Sequence, residues 1–214
     1  VFLVYGKNAN NRLSMAIVER NDPGFSSESP IRNKCGMRAS PTSGLVFDDV
    51  WIPNSALVGE DGGAVVCMMK NLEIERICLA AMSLGIAERC LRTMIDYANE
   101  RKAFKQPINQ FGQIQQMIGD SYAEFKAGEA YCYAVAREMS RNPDQSHRID
   151  SDGVKLYCGR MGKTIADRAI QVLGGNGYIG DYVVERLWRD AKLLEIGGGT
   201  NESHQKNITK DLSK

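Results

Sequence analysis

The chain has 214 residues, 43% hydrophobic and 25% charged, with a formal net charge of +1. This is ordinary globular composition, enough for a sizeable core in one or two domains. The near-neutral balance offers no field for nucleic acid, and no apolar run approaches the roughly 18 residues a membrane-spanning helix requires.

The chain opens on VFLVY, without an initiator Met and already in strand rhythm. It reads as a piece of a longer protein, with any transit signal outside it. Through the first sixty residues VFLVYGK, RLSMAIVER and SGLVFDDVWIP are rich in β-branched and aromatic residues. NANN, NDPG and NSALVGEDGG punctuate them, which predicts strands joined by turns. From about Ala64 the period changes. Val65, Met68, Met69, Leu72, Leu79, Met82 and Leu84 recur at helical spacing, and the pattern runs to about Arg101. Lys105-Gln106-Pro107 predicts a turn. A second helix carries Ile114, Met117, Ile118, Tyr122 and Phe125 on one face and fades in the polar run RNPDQSHR. A third begins near Ser151 and Asp152, both suited to an N-cap. It carries Val154, Tyr157, Cys158, Met161, Ile165, Ala169 and Val172 on one stripe and stops at Gly174-Gly175. A shorter segment over about 182–195 precedes a glycine run, and a last amphipathic helix follows Thr200. Six cysteines (35, 67, 78, 90, 132, 158) are scattered without CxxC pairs. They read as reduced core thiols of an intracellular protein, with no disulfide framework and no metal site.

One stretch carries chemistry on its own. On a helix, neighbours lie three and four residues apart. Glu73 then has Lys70 and Arg76 within reach and reads as ion-paired. Glu75 has Asn71, Leu72, Cys78 and Leu79 around it, with Met68 and Met82 one turn further out and no cation at those spacings. A carboxylate on an apolar face takes up a proton readily, the property wanted of a general base. A partly exposed helix that leaves Glu75 in water is the other reading these residues allow.

Three longer segments resemble one family. VLGGNGYIGDYVVERLWRDAKLLEIGGGTNES (172–203) resembles the C-terminal signature of the acyl-CoA dehydrogenases, ERKAFKQPINQFGQIQ (100–115) their flavin-contacting segment, and CGMRASPTSGLVFDDVWIPNSALVGEDGGA (35–64) the end of their middle β domain. They cover nearly the whole chain in the family's order. The resemblance implies an α+β fold. Residues 1–62 would be the later part of the middle β domain, and 63–214 the C-terminal antiparallel four-helix bundle. The family's N-terminal helical domain would lie outside this chain.

The resemblance also implies a reaction, the FAD-dependent α,β-dehydrogenation of an acyl-CoA thioester. Most of the family takes its base from a position just before the Gly-Thr ahead of the last helix. That position is Gly198 here, and glycine cannot be a base. The isovaleryl and long-chain branches place the glutamate on the first bundle helix. Leu72-Glu73-Ile74-Glu75-Arg76 matches the isovaleryl pattern, with Glu75 in the catalytic slot. Glu75 would remove the α-proton and a hydride would pass to flavin N5. The thioester oxygen would be held by a flavin ribityl hydroxyl and the Glu75 N–H, a donor that must then be free of the helix ladder.

The other roles follow residue by residue. Arg101 matches the arginine that reaches the flavin diphosphate, against a plain helix-end cation; Phe104 would pack near the adenine. The family's glutamine falls on Gly112, with Gln113 one place on as its substitute. Gln171, Val172, Leu173, Gly174 and Gly175 match the segment that approaches a neighbouring subunit's flavin. Thr200, Asn201 and Glu202 match residues that meet the same subunit's flavin, with Thr200 also suited to an N-cap. Arg76 would contact substrate or pair with Glu73. Gly198 and Gly199 would leave room for an acyl chain branched near its reacting carbons. The implied partners are an acyl-CoA, electron-transferring flavoprotein as acceptor, and further copies of the chain, as a tetramer in the family's manner. The implied location is the mitochondrial matrix in a eukaryote and the cytoplasm in a bacterium. A long-chain acyl-CoA dehydrogenase, an oxygen-using oxidase and a non-catalytic structural subunit are the competing readings.

Overall fold

The computed structural model describes residues 1–213 and divides them into two compact units. The first comprises residues 1–34 and 38–72. In it β1 (Phe2–Lys7) and β2 (Leu13–Val18) form an antiparallel hairpin, in register from Phe2 opposite Val18 to Lys7 opposite Leu13. Asn11, at φ 58°, closes the turn between them, where a short polar side chain tolerates the left-handed region. A second antiparallel pair, β3 (Phe25–Ser27) and β4 (Leu45–Phe47), was not anticipated for its first strand. FSS is too short to show a period. Phe25 stacks at a tilt on Phe2 and Phe47, with ring centroids 4.8 and 5.2 Å away, which joins the two pairs.

The second unit comprises residues 35–37 and the described residues from 73 to 213, and is helical. Helix α1 runs over Ala64–Glu100, so its beginning belongs to the first unit and most of it to the second. A tight hairpin of β5 (Lys102–Ala103) and β6 (Gln106–Pro107) follows at the expected turn. Then come α2 (Gly112–Arg141) and α3 (Arg148–Leu173). After them lie a single turn α4 (Gly175–Tyr178), α5 (Val184–Leu193) and α6 (Asn201–Leu212). The core of this unit draws Ala87, Cys90 and Met94 from α1, Phe125 and Cys132 from α2, and Val154, Cys158, Ile165 and Ala169 from α3. Close approach explains Gly162, since a Cβ there would stand 3.0 Å from the Ser83 carbonyl oxygen on α1.

Several expectations need correcting. Helix α3 starts one turn earlier than Ser151 and Asp152 suggest, with His147 at its N-cap. The cap is remote in sequence. Glu73 accepts hydrogen bonds from the Ser146 hydroxyl (2.9 Å) and the His147 N–H (2.8 Å). An acidic side chain satisfies the free amides and positive end of the helix. Glu73 is therefore a cap for α3 and is not paired with Lys70 or Arg76. Tyr122 is exposed and stands off the α2 core face. Of the six thiols, Cys90, Cys132 and Cys158 are buried, and Cys35, Cys67 and Cys78 are exposed. Burial pushes the Cys90 and Cys158 thiols up to about 12. Among the described residues no helix is long and apolar enough to cross a membrane.

Candidate active site

The glutamate on α1 and the glycine run ahead of α6 meet. Glu75 is half-buried, and its Oε1 lies 3.6 Å from where a Cβ on Gly198 would stand. Two positions more than a hundred residues apart thus point at one place. A side chain from either position would enter the same volume. The loop requires its glycines. Gly198 has φ 65° and Gly199 φ 105°, which side chains rarely adopt. A Cβ on Gly198 would also run into Leu79 Cδ1. The expected extra room is therefore already taken at that point by Leu79, one helical turn beyond Glu75. The Gly198 N–H has no hydrogen-bond partner among the described residues, whereas α1 runs unbroken through residue 75.

Behind the loop lies a buried polar cluster that the sequence did not single out. Arg76 is 5% exposed and makes no ion pair with Glu73 among the described residues. Its Nη1 lies 3.2 Å from Asp152 Oδ1, close enough to pair though out of line for a hydrogen bond. Asp152 Oδ1 is also 2.5 Å from His204 Nδ1 on α6. The Gly199 carbonyl accepts from Lys155 Nζ at 2.6 Å and sits 2.9 Å from His204 Nε2. Burial, and then the nearby Arg76 charge, lower the Lys155 ammonium to about 8. One signal was available: Lys155 follows Val154 on the apolar side of α3, where a lysine needs a partner. Thr200 caps α6 as expected, its hydroxyl accepting from the Ser203 N–H at 3.3 Å. Asn201 is buried, its N–H bonded to the Glu195 carbonyl (3.1 Å) and its Oδ1 unpartnered among the described residues. Glu202 is exposed. A hydrogen bond from its own N–H, and then one from Thr200, hold its carboxyl below the usual range.

A second cluster forms at the other end of α1. A cleft of about 490 Å³ is lined by Arg101, Phe104, Gln113, Val172, Leu173, Gly174 and Gly175, seven of the residues singled out in the sequence. Tyr97, Phe111 and Asn176 join them and were missed; Asn176 donates to the Tyr97 hydroxyl at 2.9 Å. Gln171 does not line the cleft, and Thr200, Asn201 and Glu202 belong to the first cluster. Helix α1 ends at Glu100, so Arg101 stands at the negative end of its dipole, yet its side chain has no partner among the described residues. Gly174 has φ 58°, and a Cβ on it or on Gly175 would meet nothing within 4 Å. Side chains there would intrude on open cleft. Phe104 is 92% exposed at φ 51°, with only the Phe111 ring edge-on at 6.2 Å. A free guanidinium, an exposed aromatic face and side-chain-free glycines suit a ligand with a diphosphate and a flat ring.

Comparison with known proteins gives the family. The model of the acyl-CoA dehydrogenase C-terminal domain matches residues 61–213, and the chain belongs to the acyl-CoA dehydrogenase family. It is 38% identical over 216 residues to the mitochondrial isovaleryl-CoA dehydrogenase of Oryza sativa subsp. japonica, covering 99% of this chain and 52% of that protein. It is 36% identical to the mitochondrial 2-methylacyl-CoA dehydrogenase of Solanum tuberosum, with the same coverage. Among solved structures, an acyl-CoA dehydrogenase from Bacillus anthracis complexed with FAD matches at a TM-score of 0.93 and 28% identity, over 99% of this chain and 39% of that one. The chain spans about half the length of the curated relatives it matches.

Proposed function

We propose that the chain is the C-terminal part of an FAD-dependent acyl-CoA dehydrogenase acting on a short branched acyl-CoA such as isovaleryl-CoA, with Glu75 as the base. The observation that carries this is the approach of Glu75 Oε1 to the Cβ position of Gly198. Isovaleryl and 2-methylacyl relatives support a branched substrate. In this reading residues 1–62 are the end of the middle domain and the rest is the bundle. FAD, when bound, supplies the acceptor for the hydride leaving the β-carbon. The chain's own residues do the rest. Glu75 takes the α-proton onto its carboxylate. That proton is weakly acidic, so negative charge building on the thioester oxygen needs a donor. The unpartnered Gly198 N–H beside Glu75 meets that need. The Glu75 N–H, the donor the resemblance suggests, lies within a continuous helix and is already committed. Arg76, buried with its guanidinium beside Asp152, would act on the substrate by holding the Glu75 turn of α1 in place.

Arg101, Phe104, Gln113 and the 171–175 segment would hold the diphosphate and adenine side of an FAD. Thr200, Asn201 and Glu202 would meet the cofactor from the α6 end. Contacts from two separate clusters fit an assembly of several copies, a tetramer in the family's pattern. Electrons would leave to electron-transferring flavoprotein. The mitochondrial relatives favour the matrix if the source is a eukaryote, and the cytoplasm serves if it is a bacterium. The test is anaerobic bleaching of bound flavin by isovaleryl-CoA, 2-methylacyl-CoA and straight-chain acyl-CoAs, for wild type and Glu75→Gln. Wild type should bleach fastest with a branched substrate, and the variant should bind FAD and stay yellow. Fastest bleaching by a long straight chain would overturn the substrate, and a bleaching variant would overturn the base.

A further inference from the structure

We infer that Asp152 and His204 are a positioning pair for the proton-abstraction site, fixing the Gly198–Gly199 loop opposite Glu75. This rests on the reading of Glu75 as base. The hydrogen-bond inventory of His204 is decisive. Its Nε2 faces the Gly199 carbonyl at 2.9 Å, and a carbonyl only accepts, so Nε2 carries hydrogen. Its Nδ1 faces Asp152 Oδ1 at 2.5 Å. A bare nitrogen there would set lone pair against lone pair. A proton therefore lies between His204 Nδ1 and Asp152 Oδ1 as well, in a pair that is fully buried on both sides.

The pair reaches both halves of the site. Asp152 Oδ1 also pairs with Arg76, the residue after Glu75 on α1. His204 reaches through Gly199 to the loop that carries the free Gly198 N–H, with Lys155 Nζ as second donor to the same carbonyl. The fit is tight: a Cβ on Gly199 would stand 3.0 Å from His204 Cε1. One carboxylate on α3 thus ties the base-bearing turn of α1 to the loop before α6. Neither Asp152 nor His204 faces the space between Glu75 and Gly198, so neither touches the reacting atoms. Their effect is on geometry, and a displacement of about 1 Å in such a site costs on the order of a hundredfold in rate.

The test uses the FAD-loaded protein and two readouts. In ¹⁵N-histidine NMR, His204 should show Nε2 protonated and Nδ1 in a short hydrogen bond in wild type, and Asp152→Asn should abolish the short hydrogen bond. In anaerobic bleaching, Asp152→Asn should slow reduction at least tenfold with acyl-CoA affinity and FAD content unchanged, and Asp152→Glu should restore part of the rate. A wild-type His204 whose Nδ1 makes no short hydrogen bond overturns the pair. Asp152→Asn bleaching at the wild-type rate overturns the positioning role alone. A wild type that no acyl-CoA bleaches overturns the dehydrogenase reading, and the positioning role with it, whatever the imidazole shows.

Discussion

The two ends of α1 solve opposite problems. Around Glu75 and Gly198 the protein supplies nearly all partners itself: Asp152, His204, Lys155 and Arg76 are buried within one network. Around Arg101 it leaves groups open, with a cation that has no partner among the described residues and a phenylalanine held outside in a left-handed turn. A site for moving a proton needs fixed geometry, since orientation sets the rate. A site for holding a large cofactor needs unspent donors and surface. Strain and exposure at Phe104 are tolerated where a ligand or second copy would cover them.

The sharpest break in this comparison is at Glu75. Glu75→Gln should lower the rate of anaerobic flavin bleaching by about 10²–10⁴-fold while leaving FAD content intact, the range for loss of a positioned base. At the self-contained end, Asp152→Ala should destabilise the fold by about 3–5 kcal/mol, because it strands Arg76 as a buried charge and leaves His204 Nδ1 without a partner. Chemical denaturation measures this. At the open end, Arg101→Ala should leave the melting temperature unchanged and weaken FAD binding roughly tenfold to a hundredfold. That corresponds to the loss of one charged hydrogen bond of about 1.5–3 kcal/mol. Phe104→Gly should raise stability by about 1 kcal/mol, since it relieves a left-handed non-glycine residue, yet it should loosen FAD.

The smallest effect concerns pH. Lys155 has a folded value of about 8 against an ordinary 10.5. Between these values the unfolded chain binds more protons, so stability rises as pH increases through that window. Lys155→Met should flatten this rise, as followed by melting temperature against pH. A rise that persists in the variant assigns it to another group.

Much of this was legible in the sequence where periodicity is long. α1, α2 and α3 are long enough for a 3.6-residue pattern to emerge, and Gly174 and Thr200 mark helix ends by local chemistry. Glu75 stood out because no cation occupies its helical neighbours. What stayed hidden depends on contacts distant in sequence. The Glu73 cap reaches residues 146 and 147, so the start of α3 could not be read from Ser151 and Asp152. The Asp152–His204 pair joins α3 and α6 across 52 residues, and nothing local to either helix marks these two among its polar residues. β3 is three residues long and acquires its identity only by pairing with β4.

The most direct measurement is exchange of the α-hydrogen of a bound acyl-CoA analogue that cannot be oxidised at its β-carbon with solvent deuterium, in wild type and Glu75→Gln at matched FAD content. Exchange needs the base and no hydride transfer. The account predicts exchange in wild type and almost none in the variant. Equal exchange in both would show that another group takes the proton and that the meeting of Glu75 with Gly198 is not the active site.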